Sequence, residues 1–140
     1  MNTSPTWLKV VAVIALLWNL LGCWAFALDL RLTPDDVAAL PDAEKALHAA
    51  RPAWAVIATA VAVIAGALGS LGLLLGRKWS FVLFVLSLIG ILVQDYGLFV
   101  LADAVALAGP VVAVMQGIVL LIGIALVVLS RKGIARGWLT

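Results

Sequence analysis

The sequence has very little charge, since only 11% of its 140 residues are Asp, Glu, Lys or Arg and 66% are hydrophobic. A typical soluble domain has roughly 25% charged residues and about half apolar ones. This composition therefore excludes an ordinary water-soluble domain and predicts a membrane protein. The sequence also lacks a long polar segment in which a separate soluble catalytic domain could fold.

Cysteine and histidine are equally scarce, with Cys23 and His48 as the single examples. One cysteine excludes a disulfide scaffold and a dithiol redox cycle within the chain. A lone histidine in an acidic segment has no second nitrogen or thiol ligand beside it, so we expect no metal site and no haem. The sequence also lacks a phosphate-binding loop, a dinucleotide fingerprint and a nucleophile elbow. It predicts a protein without a cofactor and without enzymatic activity.

Four long apolar segments are present, at residues 7–28, 54–75, 79–101 and 110–129. Each reaches the length of about 20 residues that an α-helix needs to cross a bilayer. None shows the alternation over about ten residues that is typical of β-barrel strands. The sequence therefore predicts an all-α membrane protein, in which residues 1–140 form a single bundle of four transmembrane helices.

One sizeable polar segment, residues 29–51, separates the first two spans. Thr33 followed by Pro34 and two acidic residues is a helix-start signature. Pro41 then interrupts the segment, and residues 42–50 repeat apolar side chains at helical spacing. Two short helices on the membrane surface are therefore expected, and a lid over a substrate site is the alternative.

The basic residues are distributed unevenly between the two ends of the predicted bundle. The end with both termini carries six basic residues and no acidic one: Lys9, Arg77, Lys78, Arg131, Lys132 and Arg136. The other end carries three basic residues against seven acidic ones. The positive-inside rule therefore predicts that both termini are cytoplasmic. Basic residues dispersed over helix ends also argue against nucleic-acid binding.

The first span has some features of a processed export signal. Lys9, an apolar stretch and then Leu20-Leu21-Gly22-Cys23 resemble a lipoprotein cleavage box. The residues after Cys23 are apolar, however, where a processed lipoprotein has a polar linker. We therefore expect the first helix to be retained and Cys23 to be a small helix residue.

Small residues repeat along the second span. Ala58, Ala62, Gly66 and Ser70 lie four residues apart, with Gly69 and Gly72 beside them. Because small residues let helices approach closely in lipid, Gly66, Gly69, Ser70 and Gly72 predict a helix-packing face. Packing within the chain is the favoured interpretation, and dimerisation or docking to another protein is the alternative. The fourth span has a shorter repeat in Gly109, Ala113 and Gly117.

Five polar residues within the predicted spans are the candidates for a functional site: Asn19, Thr59, Gln94, Asp95 and Gln116. Asn19 lies near the bilayer centre and is expected to hydrogen-bond to another helix. The other four lie at a similar depth in the outer half, so they are expected to lie close together.

The carboxylate of Asp95 has three possible roles. It is interfacial and solvated if the third helix ends at Tyr96, and structural if it pairs with Arg51 or joins a hydrogen-bond cluster. It binds a proton or a solute if the protein is a transporter.

Five short motifs are distributed over most of the chain: Pro5-Thr6-Trp7, the run from Ala15 to Gly22, Arg51-Pro52-Ala53-Trp54, Gly66-Ala67-Leu68-Gly69, and Arg136-Gly137-Trp138-Leu139. With them the sequence resembles small bacterial four-helix inner-membrane proteins that are loosely catalogued as "sugar transporter" or uncharacterised. The resemblance implies a multi-pass inner-membrane location and gives no catalytic residues.

We therefore expect a non-enzymatic inner-membrane protein that acts through helix–helix contacts, as an accessory or scaffold component or as a homo-oligomer. Its partners would be the lipid bilayer and a second protein or a second copy, and no particular small-molecule ligand is predicted. The alternative is a small-solute transporter, such as one for sugars, assembled from two or more copies around Asn19, Gln94, Asp95 and Gln116.

Overall fold

The computed structural model describes residues 4–140, and over that range the chain is helical with no β-strand. Its helices are α1 (Thr6–Leu30), α2 (Pro34–Ala38), α3 (Asp42–Ala50), α4 (Ala53–Leu74), α5 (Trp79–Asp95), α6 (Ala104–Ala108) and α7 (Pro110–Ala135). A π-helical segment, Tyr96–Leu101, continues α5. Four helices, with α5 and its continuation taken together, are long and apolar enough to cross a membrane. The prediction of an all-α protein with four helices long and apolar enough to span a membrane is confirmed.

The four long helices pack as a row. Helix α1 packs on α4, α4 on α5, and α5 on α7, while α1 and α7 make few direct contacts with each other. The two central helices, α4 and α5, approach closely at Gly90, which lies against the backbone of α4. A Cβ atom at Gly90 would lie 2.7 Å from the carbonyl oxygen of Ala58. Such close approach is how helices gain packing energy in lipid.

The C-terminal segment closes the end of the row at which both termini lie. Helix α7 ends before Gly137, whose φ of +74° reverses the chain. The backbone of Thr140 then exchanges hydrogen bonds with the α4–α5 turn, accepting from Lys78 at 3.1 Å and donating to Gly76 at 2.9 Å. Leu139 is fully buried between the helices, in one apolar core with Leu8, Leu73, Phe84 and Leu126.

The opposite end is covered by the short helices. Thr33 and Asp36 form the expected capping box: the Asp36 N–H donates to the Thr33 hydroxyl at 3.2 Å, and the Thr33 N–H donates to the Asp36 carboxylate at 2.9 Å. Helix α3 packs on α6, which also contacts α7. The predicted pair of short helices in residues 29–51 is confirmed, whereas α6 was not expected from the sequence.

The fourth helix is longer than its apolar segment. It was expected to end near Leu129 because Ser130, Arg131 and Lys132 are polar, and it continues to Ala135. Arg and Lys are good helix formers, so the loss of hydrophobicity marks where the helix can leave the hydrocarbon rather than where it stops. The glycine at position 137 marks the true end.

The third long helix does not end at Tyr96. It changes from α to π geometry there and continues to Leu101. Gly97 holds this segment close to α4, since a Cβ atom at that position would lie 2.9 Å from the Cβ of Ala55. The expected early helix end is therefore wrong, and it cannot be the reason for a solvated Asp95.

Candidate functional site

A cavity of about 340 Å³ lies between α1 and α7, in front of α4 and α5, and all four helices contribute to its wall. Most of the wall is apolar, with Ile91, Val119 and Ile122 as examples. At its mouth, Leu21 of α1 and Met115 of α7 are 61% and 56% exposed. Because both helices are membrane-spanning candidates, a bilayer around them would place this mouth in its hydrocarbon region.

The outer part of the cavity contains three of the predicted polar residues in a connected chain. The Thr59 hydroxyl donates to the Gln94 carbonyl oxygen at 2.5 Å, and the Gln94 amide donates to the Gln116 carbonyl oxygen at 3.1 Å. This chain joins α4, α5 and α7. The expectation that Thr59, Gln94 and Gln116 lie close together is met.

A second polar level lies deeper. The Asn19 amide donates to Ser70 on α4 at 3.3 Å and to the Ala15 carbonyl oxygen at 2.9 Å, so the expected hydrogen bond to another helix is present. Ser87 lies at the same level and donates to the Ala62 carbonyl oxygen at 2.7 Å. Seven residues separate Ser87 from Gln94 on α5, which places the two polar levels about 10 Å apart.

The cavity wall is uncharged. Asn19, Thr59, Ser87, Gln94 and Gln116 are its main polar members, and none of its lining residues is acidic or basic. Amide and hydroxyl groups offer both hydrogen-bond donors and acceptors, so the wall can bind neutral polar groups. Proton transfer by a lining carboxylate or imidazole is not available at this wall.

Asp95 does not belong to this wall. It is half-buried at the junction of α5 with the π-helical segment, and within residues 4–140 its Oδ1 atom is buried without a hydrogen-bond partner. Of the four residues expected at one outer site, three therefore line the cavity and Asp95 lies outside it.

Arg51 pairs with a different carboxylate from the one expected. Its guanidinium donates to the Asp29 carboxylate at 2.9 Å. Among the described residues, Asp29 is the ion-pair partner of Arg51. Asp29 lies in the last turn of α1 and Arg51 directly follows α3, so the pair ties the two ends of the 29–51 segment together. Within residues 4–140 Arg51 makes no ion pair with Asp95, so the hypothesis of that pair is wrong.

The small residues of α4 are used within the chain. A Cβ atom at Gly69 would lie 2.9 Å from the Phe84 ring, and one at Gly72 would lie 2.5 Å from the Trp79 ring. The space beside Gly66 is occupied by the side-chain oxygen of Asn19. Ser70 is fully buried and donates to the Gly66 carbonyl oxygen at 2.8 Å. This face packs against α1 and α5, in agreement with the favoured interpretation of intrachain packing.

Sequence reasoning missed two residues of this region. Ser87 lines the cavity, and Gly90 allows the closest approach of α4 and α5. Their three-residue spacing indicates that they share one face of the helix. Serine and glycine are common in membrane helices, however, so this spacing alone is a weak signal.

Potential metal ligands are not clustered. Within residues 4–140, no three His, Cys, Asp or Glu side chains lie where they would hold a metal ion together. Cys23 instead lies against α4, 3.4 Å from the Val63 carbonyl oxygen.

Comparison with known proteins found no matching family model, no matching curated protein and no matching solved structure.

Proposed function

We propose that this chain is a non-enzymatic integral membrane protein that acts through contacts between transmembrane helices, and that its partner is a second copy bound along α7. The transmembrane helix contacts are thus made between identical copies, and not with a different protein as in a heteromeric accessory unit.

The exposure of α7 supports this assignment. Only 6% of its spanning segment is buried within the chain, compared with 44% for α4. Helix α7 lies at the end of the row, so its outer side has no neighbour from the same chain. Val114 and Leu121 on that side are more than 60% exposed.

Gly117 is the observation that carries the proposal. The other glycines inside the long helices all face side chains or backbone of a neighbouring segment, whereas a Cβ atom at Gly117 would meet nothing within 4 Å. Glycine in a helix interior costs about 1 kcal/mol relative to alanine. Packing inside the chain does not offset this cost at Gly117, and close packing against another helix would.

A two-fold arrangement fits this surface. Ala113 and Gly117 lie four residues apart, the small-xxx-small spacing that lets two helices cross closely in lipid. A symmetric dimer in which α7 packs on its own copy uses the same residues twice, and such two-fold dimers are the commonest homo-oligomers. This contact lies on the side of α7 away from the cavity.

The test is the oligomeric state of Gly117→Leu in mild detergent and in nanodiscs. We expect the wild-type protein to be a dimer and Gly117→Leu to be a folded monomer, since the new side chain obstructs only the crossing of the two copies. Ala27→Leu is the matched control at an exposed position of α1, away from α7, and should remain dimeric.

Two results would count against the dimer. A wild-type monomer in nanodiscs would refute self-association, and a stoichiometric complex with a different protein would replace the second copy by a heteromeric partner. An unchanged dimer in Gly117→Leu would place the contact elsewhere.

We further propose that the protein lies in a bacterial inner membrane with both termini in the cytoplasm. The end at which Ser4 hydrogen-bonds to Trp138 and the C-terminal segment meets the α4–α5 turn also holds the six basic residues. After Cys23 is replaced, a cysteine placed at Glu44 should react with an impermeant maleimide from the periplasmic side. Reaction from the cytoplasmic side alone would invert the topology.

Small-solute transport is the second candidate, and the cavity favours it. Two or more copies that bring the walls around Asn19, Gln94 and Gln116 together would enclose a polar path, with Asp95 as the titratable group beside it. Proteoliposomes would then take up a neutral solute in a pH-dependent way, and Asp95→Asn would fold normally while losing that pH dependence. Absence of uptake across a panel of neutral sugars and polyols would leave the helix-contact function.

A further inference from the structure

We propose that the cavity between α1 and α7 is a binding site for an uncharged amphiphile taken from the bilayer, a molecule with one hydrogen-bonding head and a short apolar body. Its volume, about 340 Å³, falls at the lower end of the range of roughly 300–1,000 Å³ typical of small-molecule sites. The site does not depend on the dimer, because Gly117 is not part of the cavity wall.

The route into the cavity is lateral. Helices α1 and α7 make few contacts with each other, and the exposed side chains at the mouth belong to membrane-spanning segments. At the terminal end, the row is closed by the core around Leu139 and Leu126. A ligand therefore enters from the hydrocarbon region, which selects molecules that dissolve in a bilayer.

The wall determines the charge of the ligand. None of the lining residues carries a charge, so an ionised ligand would lose its hydration without gaining a counter-ion. Such a transfer costs several kcal/mol or more. Neutral molecules are therefore favoured over carboxylates and amines of the same size.

The outer polar level is the place for the head. Within residues 4–140 the Gln116 amide nitrogen has no hydrogen-bond partner, while its carbonyl oxygen accepts from Gln94. Gln116 is six residues into α7, about 9 Å from the helix start, so it lies in the outer part of the cavity. A hydroxyl or carbonyl oxygen of the ligand accepts from this amide, and its apolar body extends along Val119 and Ile122.

The experiment uses octanol that carries a diazirine as a photoactivated probe, added to the full chain in nanodiscs. Mass spectrometry of peptides should find the adducts concentrated on the α7 wall, at Met115, Val119 and Ile122. Excess octanol should suppress this labelling. Octane should compete about tenfold more weakly, the change expected for one lost hydrogen bond. Octanoate should compete more weakly than octanol.

Matched variants locate the site. Val119→Phe fills the cavity and should reduce the octanol-protected labelling by about tenfold, whereas Ile118→Phe on the neighbouring exposed position should leave it unchanged. Gln116→Leu should keep labelling while abolishing the preference for octanol over octane. If Gln116→Leu does not fold, the wild-type competition and the Val119 and Ile118 pair still decide the outcome.

Labelling spread evenly over lipid-facing positions such as Ile14 and Val128 would overturn the proposal, as would equal competition by octane and octanol. If the Gly117→Leu monomer retains the labelling that excess octanol suppresses, ligand binding in the cavity does not require the proposed dimer.

Discussion

Gly66 is where the absence of a side chain matters most. The Asn19 side-chain oxygen occupies the space that a Cβ atom at this position would need, and at Gly69 the Phe84 ring does the same. We expect Gly66→Leu and Gly69→Leu to destabilise the bundle by about 1–3 kcal/mol through overpacking. Thermal unfolding in detergent measures the effect.

Gly117→Leu is the control for these two variants. It makes the same change on the same kind of helix, but in open space, and should leave the unfolding temperature of the isolated monomer unchanged or slightly raised, since leucine is the better helix former. Unaltered stability in Gly66→Leu and Gly69→Leu would mean that this face of α4 does not pack against α1 and α5.

Asp95 tests the cost of a buried carboxylate. Its Oδ1 atom is buried and unpartnered among the described residues, and Arg51, the nearest expected cation, is paired with Asp29. An unpaired charge in a membrane segment is unfavourable. We expect Asp95→Asn to unfold at the same or a higher temperature than the wild type, since the amide is neutral. A large loss of stability would instead reveal a hydrogen bond or an ion pair made by the carboxylate.

At the residue scale, the sequence predicted most of the polar site. Asn19, Gln94 and Gln116 were recognisable because polar side chains are rare in apolar spans, and each needs a partner in lipid. The position of Asp95 outside the cavity was not predictable, because adjacent residues on a helix point about 100° apart and the rotation of α5 depends on its neighbours. The partner of Arg51 was not predictable either, because it depends on how α1 and α3 lie relative to each other.

At the scale of the elements, local chemistry decided which helices were predictable. Helices α2 and α3 were expected at their observed places because Thr33, Pro34 and Pro41 are strong boundary signals. Helix α6 has no such signal: it is short and apolar, and Asp103 before it adopts a left-handed conformation without capping the helix through its side chain. Its sequence is as apolar as the span before it, so hydrophobicity does not mark it as a separate helix.

The capping box of α2 has a measurable pH dependence. The backbone N–H of Thr33, and then its side chain, hold the pKa of Asp36 below its ordinary value. Because this pKa is lower in the folded chain, the ionised carboxylate stabilises α2 above the unfolded pKa of about 3.9, and the contribution is lost as the pH falls through the lowered value.

Thr33→Ala removes the hydroxyl and should raise the pKa of Asp36 toward its ordinary value while fraying the first turn of α2. A carboxyl ¹³C titration of Asp36 measures the shift, and Thr33→Ser, which keeps the hydroxyl, should behave like the wild type. Identical titrations in all three proteins would show that the capping box does not form in solution.

At the scale of the whole molecule, the four spans were predictable, but the order in which they pack was not. Each long helix is apolar on all sides, so its sequence does not indicate which side faces protein and which faces lipid. The small residues on α4 identified one packing helix, and the contacts of Gly90 and Phe84 complete the central pair. The open cavity follows from the row arrangement, which depends on all four helices together.

The C-terminal segment was also beyond sequence reasoning, and it supplies the last prediction. Leu139 is 1% exposed and packs on Gly133 in the core that joins α1, α4, α5 and α7 at the end of the row. Removing a buried leucine side chain costs about 2–5 kcal/mol. We expect Leu139→Ala to lower the unfolding temperature and to speed hydrogen exchange at the start of α1, because Leu8 and Trp138 then lose their common support. Leu17→Ala removes the same atoms from a position on α1 that is 62% exposed and should have little effect. Equal behaviour of the two variants would mean that the row is held at this end by its helices alone.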